Sequence, residues 1–138
     1  MFFNKKEKND KETSLMKIGA LLIHTAKIDE NYSKKEEEII KKTLINLGAN
    51  QANLDALLTK AKQCEEDSNQ IIDFTREVKN LEDLDKIKII KSLWKIIYSN
   101  KNADIYETNL MRRLAGLLYI DSNVMGAIKE EIKKENLK

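Results

Sequence analysis

The sequence predicts an all-α fold, a single-domain bundle of about seven helices with an internal pseudo-repeat of helix hairpins. Three observations lead there. The chain of 138 residues contains no proline, 4 glycines and 6% aromatic residues, a balance that disfavours a turn-rich β-sandwich. Its apolar residues recur at i, i+3, i+4 and i+7. Residues that start or stop helices stand between those stripes.

Residues 1–13 mix Lys, Glu, Asn and Asp without an apolar period and are expected to form a mobile arm ahead of a domain spanning 14–138. Leu15, Ile18, Leu22 and Ala26 mark a first helix. Ile40, Thr43, Leu44 and Leu47 mark a second, which should stop at Gly48, a residue free to take the left-handed conformation. Asn50 then caps a third helix carrying Leu54, Leu57, Leu58 and Ala61. After the polar break "EEDSNQ", Ile71, Phe74, Thr75 and Val78 mark a short fourth. The fifth has Ile90, Leu93, Trp94 and Ile97, widened by Ile87, Ile89 and Ile96, and is expected to be central. Leu110, Met111, Leu114, Leu117 and Leu118 mark the sixth. Asp121 caps a seventh with Val124, Met125, Ile128 and Ile132.

An offset of 71 residues connects the two halves. It carries Ile18 to Ile89, Leu22 to Leu93, Lys41-Lys42 to Arg112-Arg113, Leu47 to Leu118 and Asn50 to Asp121. Two copies are too few for a stacked solenoid, so the halves should pack face to face in one bundle.

The same offset relates two inter-helix loops, and there the residue types allow two readings. Ser33-Lys34-Lys35-Glu36 has the S-x-x-E form of a capping box, and Asp104-Ile105-Tyr106-Glu107 is its acidic analogue. Such a cap contributes about 1 kcal/mol without any ligand. The other reading counts oxygens. Asp29, Asn31, Ser33 and Glu36 in one loop, with Asn100, Asn102, Asp104 and Glu107 in the other, place hard donors on alternate residues and then one turn into a helix, as a loop for calcium, magnesium or manganese would. Neither loop is an EF-hand. Lys34 and Ile105 stand at the glycine position, and Ile40 and Met111 stand at the bidentate glutamate position.

"LLIHTAKIDENYSKKEEEII" and "SLWKIIYSNKNADIYETNLMRRLAGLLYID" together resemble the TerB-like tellurite-resistance domain, over about Leu15 to Lys133. Asp29, Glu36, Asp104 and Glu107 fall on that family's acidic positions, and Trp94, Tyr98 and Arg112-Arg113 on its other frequent ones. Ser33 and Asn100 replace aspartates, and Glu30 and Lys101 replace the glycine of its D-G pair. The resemblance implies a bacterial, non-catalytic helical protein linked to tellurite and other stress resistance, with acidic residues proposed to bind a metal ion. It also implies complexes at the inner face of the membrane, and a related domain precedes the J-domain in some membrane-tethered co-chaperones.

Composition bounds the remaining possibilities. Lys and Arg number 25 against 23 Asp and Glu, a formal charge of +2 that argues against a dedicated nucleic-acid binder. The single Cys64 excludes an internal disulfide and suits a reducing compartment, so the expectation is cytoplasmic. "IGALLI" is too short to span a membrane. Cys64 has no His or Asp motif beside it, and G-x-S-x-G, P-loop and H-E-x-x-H motifs are absent. His24, one turn before the first acidic loop, is expected to be a partly buried side chain rather than a ligand. Trp94 reads as core.

Three functions are compatible with these residues: a stress-associated module that binds a protein partner and a weak divalent cation, a metal-free adaptor, and an enzyme using loop carboxylates. The last ranks lowest, because no nucleophile and base are paired. A protein partner is expected, within a membrane-associated stress complex. Nucleic acid and direct membrane insertion are not, and a homo-oligomer stays open.

Overall fold

The computed structural model describes residues 5–27, 33–68, 71–99 and 105–136. Seven α-helices account for most of them: α1 (Lys5–Ala26), α2 (Lys34–Asn46), α3 (Leu54–Asp67), α4 (Ile72–Lys79), α5 (Asp83–Tyr98), α6 (Ile105–Leu117) and α7 (Ser122–Asn136), with one 3₁₀ turn at Gln51–Asn53 before α3. There is no strand among the described residues. The apolar stripes read from the sequence face one core, which includes Ile18, Leu22, Ile40, Leu44, Phe74, Leu93, Leu114 and Ile128, except for Val124, which is exposed.

Two expectations about helix extent need correcting. α1 begins at Lys5 and not near Leu15, so residues 5–13 of the expected arm have helical backbone. Lysine and glutamate are good helix formers, and a helix nucleated by its buried half propagates cheaply into such residues. α3 likewise runs on through Glu65, Glu66 and Asp67, so the first half of "EEDSNQ" is helix and not a break.

Centrality is shared between two helices. α5 is buried at Ile89, Ile90, Leu93, Trp94, Ile96 and Ile97, and it lies against α1, α2, α4 and α7. α1 is buried almost all round from Ile18 to Ile23 and lies against α2, α3, α4 and α5. Its contact with α3 is the most extensive in the bundle, and Gly19 is the reason the two backbones come so close. A Cβ at that position would stand 3.0 Å from the Cβ of Ala61.

The helix ends explain part of the sequence offset. α2 closes with Gly48 N–H donating to Ile45 O and Ala49 N–H donating to Leu44 O, and Gly48 has φ +107. α6 closes in the same way, through Tyr119 N–H to Gly116 O and Ile120 N–H to Ala115 O. Tyr119 occupies the left-handed position there, with φ 55. Both are Schellman ends. Each is followed by a side-chain cap: Asn50 Oδ1 accepts from Ala52 N–H at 3.0 Å, and Asp121 Oδ1 accepts from Asn123 N–H at 2.7 Å. These shared ends do not amount to equivalent hairpins. α2 lies against α1, α3 and α5, whereas the main neighbours of α6 are α4 and α7.

Candidate functional site

The start of α2 is the part of the acidic-loop constellation that can be followed atom by atom. Ser33 has extended backbone (φ -94, ψ 163), which turns its side chain back over the first turn of the helix. Ser33 Oγ accepts from Glu36 N–H at 3.2 Å, and Glu36 Oε1 accepts from Ser33 N–H at 3.2 Å and from Ser33 Oγ–H at 2.9 Å. This is the complete reciprocal box that S-x-x-E predicts. Glu36 is only 3% exposed, a rare place for a carboxylate. Its negative charge is tolerated at the positive end of the helix dipole and by the hydrogen bonds it accepts.

Ser33 and Glu36 are thus brought together. Asp29, Asn31, Asn100, Asn102 and Asp104 lie outside the described residues, and of Glu107 only the helical backbone is described, on α6. Among the described residues no three of His, Cys, Asp and Glu are grouped as metal ligands would be.

His24 has a definite role in the packing. Its Nδ1 lies 3.3 Å from Glu65 Oε1, across the interface between α1 and α3. Lys27 Nζ donates to the other oxygen of the same carboxylate at 2.7 Å. The Glu65 side chain is 10% exposed, so one nearly buried carboxylate ties the end of α1 to the end of α3 just before the first acidic loop. The hydrogen bond to Glu65 raises the Lys27 ammonium above the ordinary lysine value, against a smaller opposing effect of desolvation. Reading "EEDSNQ" as a break hid Glu65. The signal was present in its spacing, since Glu65 follows Ala61 by four and so continues the buried face of α3.

A second polar contact lies between α2 and α5. Thr43 and Ser92 are both buried, and their hydroxyl oxygens are 2.5 Å apart. Each hydroxyl also contacts a carbonyl of its own helix, Thr43 that of Ile39 at 2.7 Å and Ser92 that of Lys88 at 3.0 Å. Trp94 is core as expected, stacked on Tyr98 with ring centroids 5.9 Å apart and covered by Lys129 Nζ at 5.5 Å. Cys64 is half-buried, and desolvation pushes its thiol up from the ordinary range, which opposes thiolate formation.

The bundle and its polar contacts define an all-α protein in which several described ionisable groups, Glu36 and Glu65 among them, cap a helix or tie one helix to the next. Comparison with protein families matches residues 15–130 to the family described as Tellurite resistance protein TerB. The chain belongs to the TerB family. Neither the curated proteins nor the solved structures compared with it gave a match. No helix of the described residues is long and apolar enough to cross a membrane.

Proposed function

We propose that this TerB-family protein is a non-catalytic, cytoplasmic interaction module that binds a protein partner within a tellurite- and stress-resistance assembly at the membrane. The observation that carries this reading is how the bundle uses its ionisable groups. Glu36 caps α2, Glu65 joins α1 to α3, and Lys17–Glu77, Lys62–Glu37 and Lys91–Glu131 bridge other helix pairs at 3.5, 3.3 and 3.3 Å. These are holding roles, and they leave exposed charge such as Arg112 and Arg113 for recognition. Affinity capture from cells exposed to tellurite tests it. A protein retained in stoichiometric amount by the parent and lost by Arg112→Ala with Arg113→Ala supports the reading, and equal retention by the two argues against it.

A second reading adds a weak divalent cation at the loops formed by Asp29, Asn31, Ser33 and Glu36 and by Asn100, Asn102, Asp104 and Glu107. It is favoured by the recurrence of acidic positions in both loops and by the burial of Glu36 at the root of the first. Glutamine keeps the acceptor a capping box needs but removes the charge a hard cation needs. Glu36→Gln with Glu107→Gln should therefore cost less than about 1 kcal/mol without metal. If a cation binds the folded state, millimolar calcium, magnesium or manganese raises the parent's melting temperature, and the variant loses that rise. A flat titration of the parent leaves the loops as caps alone.

A further inference from the structure

The chain's balanced net charge hides a local imbalance. Between α2 and α5 lies a groove of about 230 Å³, and four lysines line it: Lys42 from α2, and Lys88, Lys91 and Lys95 from α5. The last three follow one another by three and four residues, so they stand on one face of α5. No carboxylate is among the residues that line the groove. Two of the lysines are partly compensated by nearby acids, Lys88 by Asp85 at 3.7 Å and Lys91 by Glu131 at 3.3 Å. Lys42 and Lys95 have no carboxylate within ion-pair reach among the described residues. The buried hydroxyls of Thr43 and Ser92 also line this space. Two hydroxyl protons serve three contacts there, the pair itself and the carbonyls of Ile39 and Lys88, so either hydroxyl can turn toward a new acceptor at the loss of one bond.

We propose that the α2–α5 groove is a binding site for a compact, multiply charged phosphate group. Like charges collected round one concavity repel one another, and an anion of matching charge removes that repulsion while accepting hydrogen bonds from several ammonium groups at once. A single carboxylate would neutralise only one of the four. A di- or triphosphate offers enough charge in a volume the groove can take, whereas the groove is too small for a peptide helix or a nucleic-acid duplex. Lysine suits the task because its ammonium is a mobile point charge, able to follow phosphate oxygens without the fixed fork of arginine. The proposal is independent of the acidic loops and uses none of their residues.

Inorganic tripolyphosphate is the probe. Calorimetric titration should give saturable one-to-one binding, and the melting temperature should rise with the ligand. Each charge-assisted contact removed should weaken binding by roughly tenfold, so Lys42→Gln with Lys95→Gln should lose on the order of a hundredfold. Lys60→Gln, on α3 and paired with Glu12, should bind like the parent. The groove variant should melt no lower than the parent, since it loses repulsion and no ion pair. Acetylation mapped by mass spectrometry gives a readout on the unaltered chain: tripolyphosphate should protect Lys42, Lys88, Lys91 and Lys95 but not Lys60. Two further arms separate the sources of phosphate. Binding to phosphatidylglycerol vesicles that tripolyphosphate competes away assigns the site to a lipid headgroup, and indifference to those vesicles assigns it to a soluble phosphate. No binding at millimolar tripolyphosphate, equal loss in Lys60→Gln, or preference of the same lysines for generic duplex DNA overturns the proposal.

Discussion

Changing Gly19 to alanine sets two effects of known sign against each other. Glycine inside a helix costs about 1 kcal/mol relative to alanine, so by propensity alone Gly19→Ala should stabilise α1. The new Cβ, however, would stand 3.0 Å from Ala61 Cβ and 3.5 Å from Leu44 Cδ1. Carbon atoms prefer roughly 3.5–4.0 Å, and the Cβ of Ala61 is fixed to its backbone, so relief requires α1 and α3 to separate by about half an ångström. That separation loosens the most extensive helix contact of the bundle, and overpacking of this kind costs about 1–3 kcal/mol. Packing should win by about 1 kcal/mol, a fall of roughly 4 °C in melting temperature for a domain of this size. The bundle supplies its own control. Gly126 lies inside α7 with nothing within 4 Å of its built Cβ, so Gly126→Ala should gain close to the full propensity term of about 1 kcal/mol. Thermal and urea unfolding of both variants, with the cycle completed by Ala61→Gly, measures the difference. In the double variant, Ala61→Gly should restore space and show a coupling of about 2 kcal/mol between the two sites, the overpacking cost it relieves. Equal shifts of the same sign for Gly19→Ala and Gly126→Ala, or no coupling to Ala61, would refute the close-approach argument.

Two other perturbations follow from the same structure. At the left-handed ends, Gly48→Ala should destabilise by about 1 kcal/mol or more, because φ +107 is strained for any L side chain; the atom nearest a new Cβ, Lys11 Nζ at 2.8 Å, ends a flexible side chain that can move aside. Tyr119→Gly should instead gain a few tenths of a kcal/mol, the relief at φ 55 outweighing the exposed cation–π contact with Lys79 at 4.3 Å; a loss on urea unfolding contradicts this. The Lys27 shift gives a pH dependence. Its folded value is raised, so the contribution is complete below the unfolded value of 10.5 and is lost as pH rises through the folded value. Melting curves at alkaline pH should fall by a small amount, because the Lys27 side chain is 43% exposed. Glu65→Gln should shrink that alkaline fall, and an unchanged fall would remove Glu65 as its cause.

Much of the fold and of the first cap was legible in the sequence. Helix formation is governed by local rules, so the apolar period placed seven stripes, Gly48 marked the end of α2, and S-x-x-E specified both partners of the box at Ser33 and Glu36. Membership of the TerB family was equally readable, because it depends on residue types at fixed spacings. What tertiary structure decided are the contacts between residues far apart in the chain. Spacing within one helix does not say that Glu65 meets both His24 and Lys27, that Thr43 meets Ser92, or that lysines 42 and 95 share a groove. Nor could it rank the centre of the bundle. The apolar period marks α1 by the single stripe of Leu15, Ile18, Leu22 and Ala26, but α2, α3, α4 and α5 all cover it, and burial on several sides depends on how many neighbours a helix has rather than on its own period. The backbone's hydrogen-bonding habits are written locally. The desolvation and pairing of its side chains are set by whichever helix packs beside them.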